Sequence, residues 1–383
     1  GETIYSLRLL PILAYVKMEG EEEQSDNQRA FNKKPIWIRA AVIAAGPLAN
    51  LFVAVIVLSI VFSITGFTTS KLSYIEENSP AYNASLKEGD VVLKYDGKRV
   101  YQPMDLLQFL YVYKGRPAEV EYIRNGDIFK TKITPKIIPE QERYVFGFYL
   151  EQISGESTNK VNYVMPNTPA AKSGIQPSDV IKSLNDSLIT CQEDIEHFMA
   201  ENKGNPVKMK VLRDGAEIII DIVPYLDKLP EQYYLGFEFR TQKGNFASIL
   251  KQSLIFTYST ARNVAYNLGW LVTGKVSFKQ MTGPVGIVSQ ISEAVEQATS
   301  VMNKLLYLLN VTALISVAIG AANLIPFPAL DGNKLLLLLI EGIRKKPIPP
   351  EKEAFISMVG FVILIALAMF TLYNDTLRIF KGG

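Results

Sequence analysis

The stretch 323–332, Asn-Leu-Ile-Pro-Phe-Pro-Ala-Leu-Asp-Gly, holds the residue types best placed to do chemistry. It closes an apolar run over residues 305–325, and a second apolar run follows at 355–373. A carboxylate at the edge of a membrane segment is costly unless something partners it. A metal ion is one candidate partner for Asp331. The other reading is a helix N-cap, since Asp is a favoured cap and Gly332 and a short apolar run at 335–340 come after it. Pro326 and Pro328 each remove a backbone donor and stop the helix there. Non-helical backbone at membrane depth is tolerated where it is buried in protein or lines a cavity.

The rest of the chemical inventory is short. The 383 residues contain one histidine, His197, and one cysteine, Cys191, which excludes an intrachain disulfide and a Cys-based zinc cluster. His197 falls in Glu-Asp-Ile-Glu-His-Phe-Met, a helical segment expected to pack or face water rather than ligate, and no histidine is available for a serine-protease triad. A net charge of +2 gives no argument for nucleic acid, and none is expected as a partner. Glu341 and Asp375 lie near the ends of apolar runs and are expected to be solvated.

The elements that must position these residues follow from hydropathy. Hydrophobic residues make up 48% of the chain, high for a soluble protein and suited to a mixed membrane and aqueous one. Segments 36–67, 304–326 and 354–374 read as membrane spans, each matching the length of a ~30 Å hydrocarbon core. The first carries Gly46, Ala49 and Asn50. The two small residues allow close helix approach, and the buried amide expects protein beside it, either as a packing kink or as a site lining. Residues 1–35 are too polar to span and read as a surface hairpin over 5–18 followed by a polar loop. Residues 246–274 repeat Leu250, Leu254, Tyr258, Ala261, Ala265, Leu268 and Leu271 at helical spacing, which predicts an amphipathic helix on or near the membrane and not a span. Thr282-Gly-Pro-Val-Gly-Ile-Val reads as a short apolar loop, and 327–353 as a cytoplasmic loop marked by Arg344, Lys345 and Lys346. With Arg29, Lys33, Lys34 and Arg39 before the first span, the start is expected inside, the middle of the chain outside and the tail, 375–383, outside.

That middle is a repeat. Asn78-Ser-Pro-Ala matches Asn167-Thr-Pro-Ala, Asp90 matches Asp179, Asp105 matches Asp194, Arg124 matches Arg213 and Pro135 matches Pro224. Every pair differs by 89 positions (167 − 78 and 224 − 135), and Phe146-Gly-Phe and Leu235-Gly-Phe keep that offset. Each copy reads as short strands with a helix: a hydroxyl and Pro opening a helical turn, and Arg-Asn-Gly or Arg-Asp-Gly turning a hairpin. The expected boundaries are 68–141 and 142–228, with 229–303 holding the amphipathic helix and the Gly-Pro-Val-Gly loop.

The two copies resemble tandem PDZ domains of the bacterial protease type, with Gly147 and Gly236 where a carboxylate-binding loop would lie. Such domains bind peptide C-termini by strand addition. Residues 46–50, the two PDZ-like copies, residues 283–286 and residues 323–332 then occur in the order found in site-2-type intramembrane metalloproteases, and the likeness covers nearly the whole chain. Tyr15-Val-Lys-Met18 resembles that family's membrane-associated β-loop, with Leu13 and Ala14 where the family usually has two glycines. The resemblance implies a multi-pass helical membrane protein with two inserted PDZ-like α+β domains, placed in a bacterial inner membrane with those domains outside. It implies zinc as cofactor, Asp331 as one metal ligand, and Asn323, Pro326 and Pro328 as substrate-facing residues. It also implies an H-E-x-x-H helix, which this sequence lacks and which is expected upstream of Gly1. The implied activity is cleavage of a single-pass membrane protein such as an anti-sigma factor. The alternative is an inactive membrane-anchored PDZ scaffold.

Overall fold

The computed structural model describes residues 18–20, 25–153, 156–278, 281–298 and 300–381. The surface hairpin expected over 5–18 lies outside them, apart from Met18. The chain divides into two compact units: residues 1–52 with 319–366, and residues 53–318 with 367–383.

Helix α1, Ile36–Thr65, is apolar all round and carries Pro47 within it. It leads into a sheet built from β1 (Phe67–Ile75), β2 (Val91–Tyr95), β3 (Lys98–Arg99), β4 (Ala118–Arg124) and β5 (Asp127–Ile133). A one-turn helix α2 (Pro80–Asn83) follows β1, and α3 (Pro103–Tyr113) follows β3. Ser79 caps α2 by accepting the N–H of Tyr82 at 3.2 Å. A connection of β6 (Lys136–Ile138) and β7 (Gln141–Val145) then enters a second sheet: β8 (Phe148–Ile153), β9 (Glu156–Val164), β10 (Val180–Leu184), β11 (Ser187–Leu188), β12 (Val207–Arg213) and β13 (Ala216–Ile222). Helices α4 (Pro169–Lys172) and α5 (Gln192–Asn202) sit at the positions of α2 and α3. The return runs through β14 (Tyr225–Leu229) and β15 (Gln232–Tyr234) to β16 (Phe237–Gln242).

The sheet orders correct the expected domain boundaries. The first sheet runs β16-β1-β2-β4-β5, and the second runs β13-β12-β10-β9-β8. The strand after Leu235-Gly-Phe therefore completes the first copy, where Phe237 pairs with Ile75, and the strand after Phe146-Gly opens the second, where Phe148 pairs with Val164. A continuous 68–141 segment lacks its own last strand. The reason is local: β8 and β9 are joined by a short hairpin, and closing a short loop costs less entropy than a long return. That leaves the edge of β1 for β16.

The two connections between the sheets pair with each other. Ile138 faces Gln232 and Gln141 faces Leu229, one register on both sides of a gap that places Pro139 opposite Glu231 and Glu140 opposite Pro230. Proline cannot donate to a ladder, so pairing lapses there.

Each sheet domain has its own core. Tyr95, Phe109, Leu72 and Ile133 fill the first, and Ile181, Leu184, Met209 and Val207 the second. In each, a buried aspartate is held in a two-pronged ion pair by the hairpin arginine. Arg124 reaches Asp90 at 2.8 Å through both Nε and Nη2, and Arg213 reaches Asp179 at 2.7 Å in the same way. The same arginines also donate to Ser85 O and Gly174 O, so each repeat carries one geometry twice.

Past β16 come α6 (Phe246–Val272), α7 (Pro284–Gln297), α8 (Val301–Leu324), α9 (Asp331–Arg344) and α10 (Pro350–Lys381). Helices α1, α8 and α10 contain segments long and apolar enough to cross a membrane. Two expectations are corrected here. Gly283-Pro-Val-Gly is no loop: Gly283 is the N-cap of α7 and Pro284 its first residue, a place where a missing N–H costs nothing. The short helix expected over the apolar run at 335–340 is longer, since α9 begins at Asp331 and runs fourteen residues.

Candidate functional site

The break between α8 and α9 is built from glycines and prolines. Gly320 lets α8 approach α1 so closely that a Cβ there would lie 2.8 Å from Pro47 O and 3.2 Å from Asn50 Cβ. This places the Pro47–Asn50 stretch against α8. Beyond Leu324 the chain turns sharply: Ile325 N–H donates to Ala322 O, Phe327 N–H to Ile325 O at 2.7 Å, and Leu330 N–H to Phe327 O. Ala329 adopts φ 75°, the left-handed region that L side chains rarely take. Gly332 then packs back on the break, where a Cβ would meet Ile325 O at 2.2 Å. A Cβ at Gly360 of α10 would meet Pro328 O at 2.2 Å. Helices α8, α9 and α10 thus converge on residues 325–332.

The sequence-derived residues fall on this turn. Asn323 is half-buried in the last turn of α8, Pro326 is exposed, and Pro328 is half-buried beneath Gly360. Asp331 is half-buried and is the first residue of α9. The N-cap is Leu330, with no side-chain cap bond, so the capping role for Asp331 is not the one the structure gives it. Sequence reading missed Asn333, two residues on. It is 5% exposed, and its Nδ2 has no hydrogen-bond partner among the described residues. A buried amide donor of that kind is costly. The signal was there: a second amide directly after the stretch that Asn323 opens.

A zinc site needs three or four protein ligands, usually His, Cys or a carboxylate. Asp331 is one carboxylate, and among the described residues no group of three such side chains is brought together. His197 is on α5 of the second sheet domain. The described residues therefore do not by themselves hold zinc.

Two charged residues expected in solvent are not there. Glu341 accepts from Arg39 in a pair with both side chains largely covered. Asp375 is 2% exposed and accepts the N–H groups of Gly283 at 2.9 Å and Gly286 at 2.8 Å. A carboxylate that the fold covers needs a fixed partner to offset its lost hydration, and the first turn of a helix offers free N–H donors.

Helix α6 buries its polar face. Gln252, Ser253, Thr257, Ser259 and Asn263 are covered, while Leu250, Leu254, Tyr258 and Leu268 of the apolar stripe stay exposed. Three of these residues find partners on the first sheet domain: Gln252 Nε2 donates to Thr68 O at 3.2 Å, and Ser259 Oγ and Asn263 Nδ2 donate to Asp105 Oδ1 at 2.5 and 2.7 Å.

Comparison with known proteins adds the following. The sequence profile of Peptidase family M50 matches residues 1–367. The zinc metalloprotease RasP of Oceanobacillus iheyensis is 35% identical over 232 residues, 58% of this chain and 52% of that protein, so the match spans about half of that relative. The probable protease eep of Enterococcus faecalis is 28% identical over 99% of this chain and 87% of its own length. The regulator of sigma-E protease RseP of Salmonella typhimurium is 27% identical over 98% of this chain and 88% of its own. The PDZ domain of HtrA3 bound to a phage-derived ligand aligns with 23% of this chain and 91% of that domain, at 20% identity and a TM-score of 0.20.

Proposed function

The chain belongs to peptidase family M50, and from that membership we propose that it forms the membrane body of a zinc-dependent intramembrane protease acting on single-pass membrane proteins such as an anti-sigma factor. The observation that carries this reading is the turn at 325–332. The apolar helices α8 and α10 and the amphipathic α9 converge on broken backbone there, with a carboxylate and two amides within eleven residues. A substrate helix must be unwound before its peptide bond can be cut. Asn323 is suited to hydrogen-bonding the opened strand, and Pro326 and Pro328 keep the neighbouring chain from closing into a helix of its own. Asp331 supplies one metal ligand, and the remaining ligands and the general base come from an H-E-x-x-H helix that is not among these residues.

In this reading α1, α8 and α10 cross a bacterial cell membrane. The two sheet domains lie on the outer side, and α6 rests its exposed apolar stripe on the lipid. The sheet domains screen or bind substrate C-termini, in keeping with a PDZ-like role. A second reading is a membrane-anchored peptide-binding scaffold without catalysis; the observation favouring it is that the described residues assemble no metal site.

The test compares zinc per chain in protein made from the whole natural gene with that of its Asp331→Ala variant, alongside cleavage of a single-pass reporter in lipid vesicles. Zinc near one per chain, lost together with cleavage in the variant, supports the protease. Equal zinc in both removes Asp331 as ligand. No cleavage and no zinc in either leaves the scaffold.

A further inference from the structure

Each sheet ends on a strand with an open edge: β16 beside β1 in the first, β8 beside β9 in the second. Each of these strands is entered through a glycine in the left-handed region, Gly236 at φ 80° and Gly147 at φ 92°. The glycine carbonyls point into the sheet, where Glu76 N–H donates to Gly236 O at 2.9 Å and Met165 N–H to Gly147 O at 2.8 Å. Phe237 lies opposite Ile75 and Phe148 opposite Val164. Antiparallel alternation therefore turns the N–H and C=O of Phe237 and Phe148 away from the ladder, toward the open edge. Such an edge is a template for one more strand.

A helix runs along each edge. Helix α5 starts at the far end of β8: Gln192 N–H donates to Ser157 Oγ at 3.0 Å, and Ser157 is the ladder partner of Gln152. It ends at the near end, where a Cβ on Gly204 would lie 2.4 Å from the ring of Tyr144, just ahead of Gly147. The first copy closes in the same way, with Gly115 after α3 packed on Tyr233, just ahead of Gly236. The flank of α3 that carries Asp105 lies on the β3 side, because Arg262 joins Asp105 to Arg99 O. The opposite flank borders β16 and carries Pro103, Leu107 and Leu110 at helical spacing. At the offset of 89, the flank of α5 that borders β8 carries Gln192, Glu196 and Met199.

The floors of the two grooves are alike. Leu110 with Phe237 and Met199 with Phe148 each pack on their own core. The walls differ. Leu107 is 56% exposed and Met104, beside it, 60%. Their counterparts Glu196 and Glu193 are exposed carboxylates. Gln192 Nε2 donates to Glu196 at 2.8 Å and Ser157 Oγ to Glu193 at 3.3 Å, so both are held on the β8 side.

We propose that the two edges select different chain ends. Each takes an extended C-terminus as an added strand, β16 one with an apolar side chain third from the end, β8 one with a basic side chain there. Alternate side chains of an added strand share a face, so the last and the third-last meet the helix. The last rests on Leu110 and Phe237, or on Met199 and Phe148. The third-last lies one helical turn nearer the helix start, at Leu107 or at Glu196. A basic side chain there meets two carboxylates in the second copy and an apolar wall in the first, where nothing offsets its desolvation. This inference rests on the reading of the sheet domains as binders of chain ends.

The test uses the whole chain in detergent micelles and two short fluorescent peptides with free carboxyl ends, alike except for leucine or arginine third from the end. Amidated forms of both are the controls. Anisotropy is expected to show saturable binding of both free acids and its loss on amidation. Glu196→Leu is expected to weaken the arginine peptide about fivefold and spare the leucine peptide, and Leu107→Glu to do the reverse. Rising salt is expected to weaken the arginine peptide alone. Both residues are exposed, so neither substitution touches a core. Carboxyl-dependent binding that neither variant shifts overturns the inference and leaves the domains as unselective binders. Binding of neither peptide, or binding that amidation does not change, overturns the chain-end reading and the inference with it.

Discussion

Asp375, near the end of the last helix, accepts the backbone N–H of Gly283, the N-cap of α7, at 2.9 Å. A residue 92 positions away thus supplies the acceptor that the cap glycine cannot. With Gly286 N–H also bonded, the carboxylate holds two of the three donors that this helix start leaves open, since Pro284 has no N–H. Replacement by alanine leaves those donors buried without partners, at a cost of about 1–3 kcal/mol. Asp375→Ala is expected to raise amide hydrogen exchange in the first turn of α7 by at least tenfold, while Asp375→Asn, which keeps one acceptor, has a smaller effect. Unchanged exchange in the alanine variant would show that the bonds do not hold the helix.

The turn at 325–332 makes opposite predictions for two small residues. Ala329 sits at φ 75°, where glycine is at ease, so Ala329→Gly is expected to be neutral or to stabilise by up to about 1 kcal/mol. Gly332 lies against backbone, and Gly332→Ala must push Ile325 O away from 2.2 Å, which costs roughly 1–3 kcal/mol. Thermal unfolding of the two variants in the same detergent reads the contrast. A destabilised Ala329→Gly together with a neutral Gly332→Ala would refute this account of the turn.

Tyr95 is fully buried, and its hydroxyl has no hydrogen-bond partner among the described residues. The equivalent position in the second copy is Leu184, also fully buried and with no polar atom to satisfy. Tyr95→Phe removes the orphan group and leaves the ring, so a gain of about 1 kcal/mol is expected. A drop in melting temperature in the variant would mean the hydroxyl is bonded after all.

Asp194 titrates low. Hydrogen bonds from the Thr190 hydroxyl and backbone, and then from Cys191, hold its carboxyl at about 2, below the ordinary 3.8. The folded value is depressed, so the charged form is favoured by folding. The stabilisation is complete above about pH 4 and is lost as pH falls toward 2. The melting-temperature gap between wild type and Asp194→Ala is therefore expected to be constant from pH 7 to 5 and to shrink toward zero near pH 2. A gap that persists at pH 2 would assign the effect to something other than charge.

By itself the sequence determined the three long apolar helices, the repeat with its offset of 89 and the break at residues 323–332. These rest on local signals: run length, spacing of identical residues and the missing N–H of proline. It also determined that α6 is amphipathic, but not which face is covered, because an apolar stripe suits a lipid surface as well as a protein core. Only the tertiary structure decided that Gln252, Ser259 and Asn263 face inward, since their partners Thr68 and Asp105 lie more than 150 residues away in sequence. It likewise decided which sheet each Gly-Phe strand completes. The strands after Gly147 and Gly236 are alike in sequence, so pattern cannot choose between them, and the short hairpin from β8 to β9 settles the exchange. Glu341 and Asp375 were misread as solvated for the same reason: a charge near a helix end is free or bound according to what the fold brings to it, and Arg39 and Gly283 arrive from far along the chain.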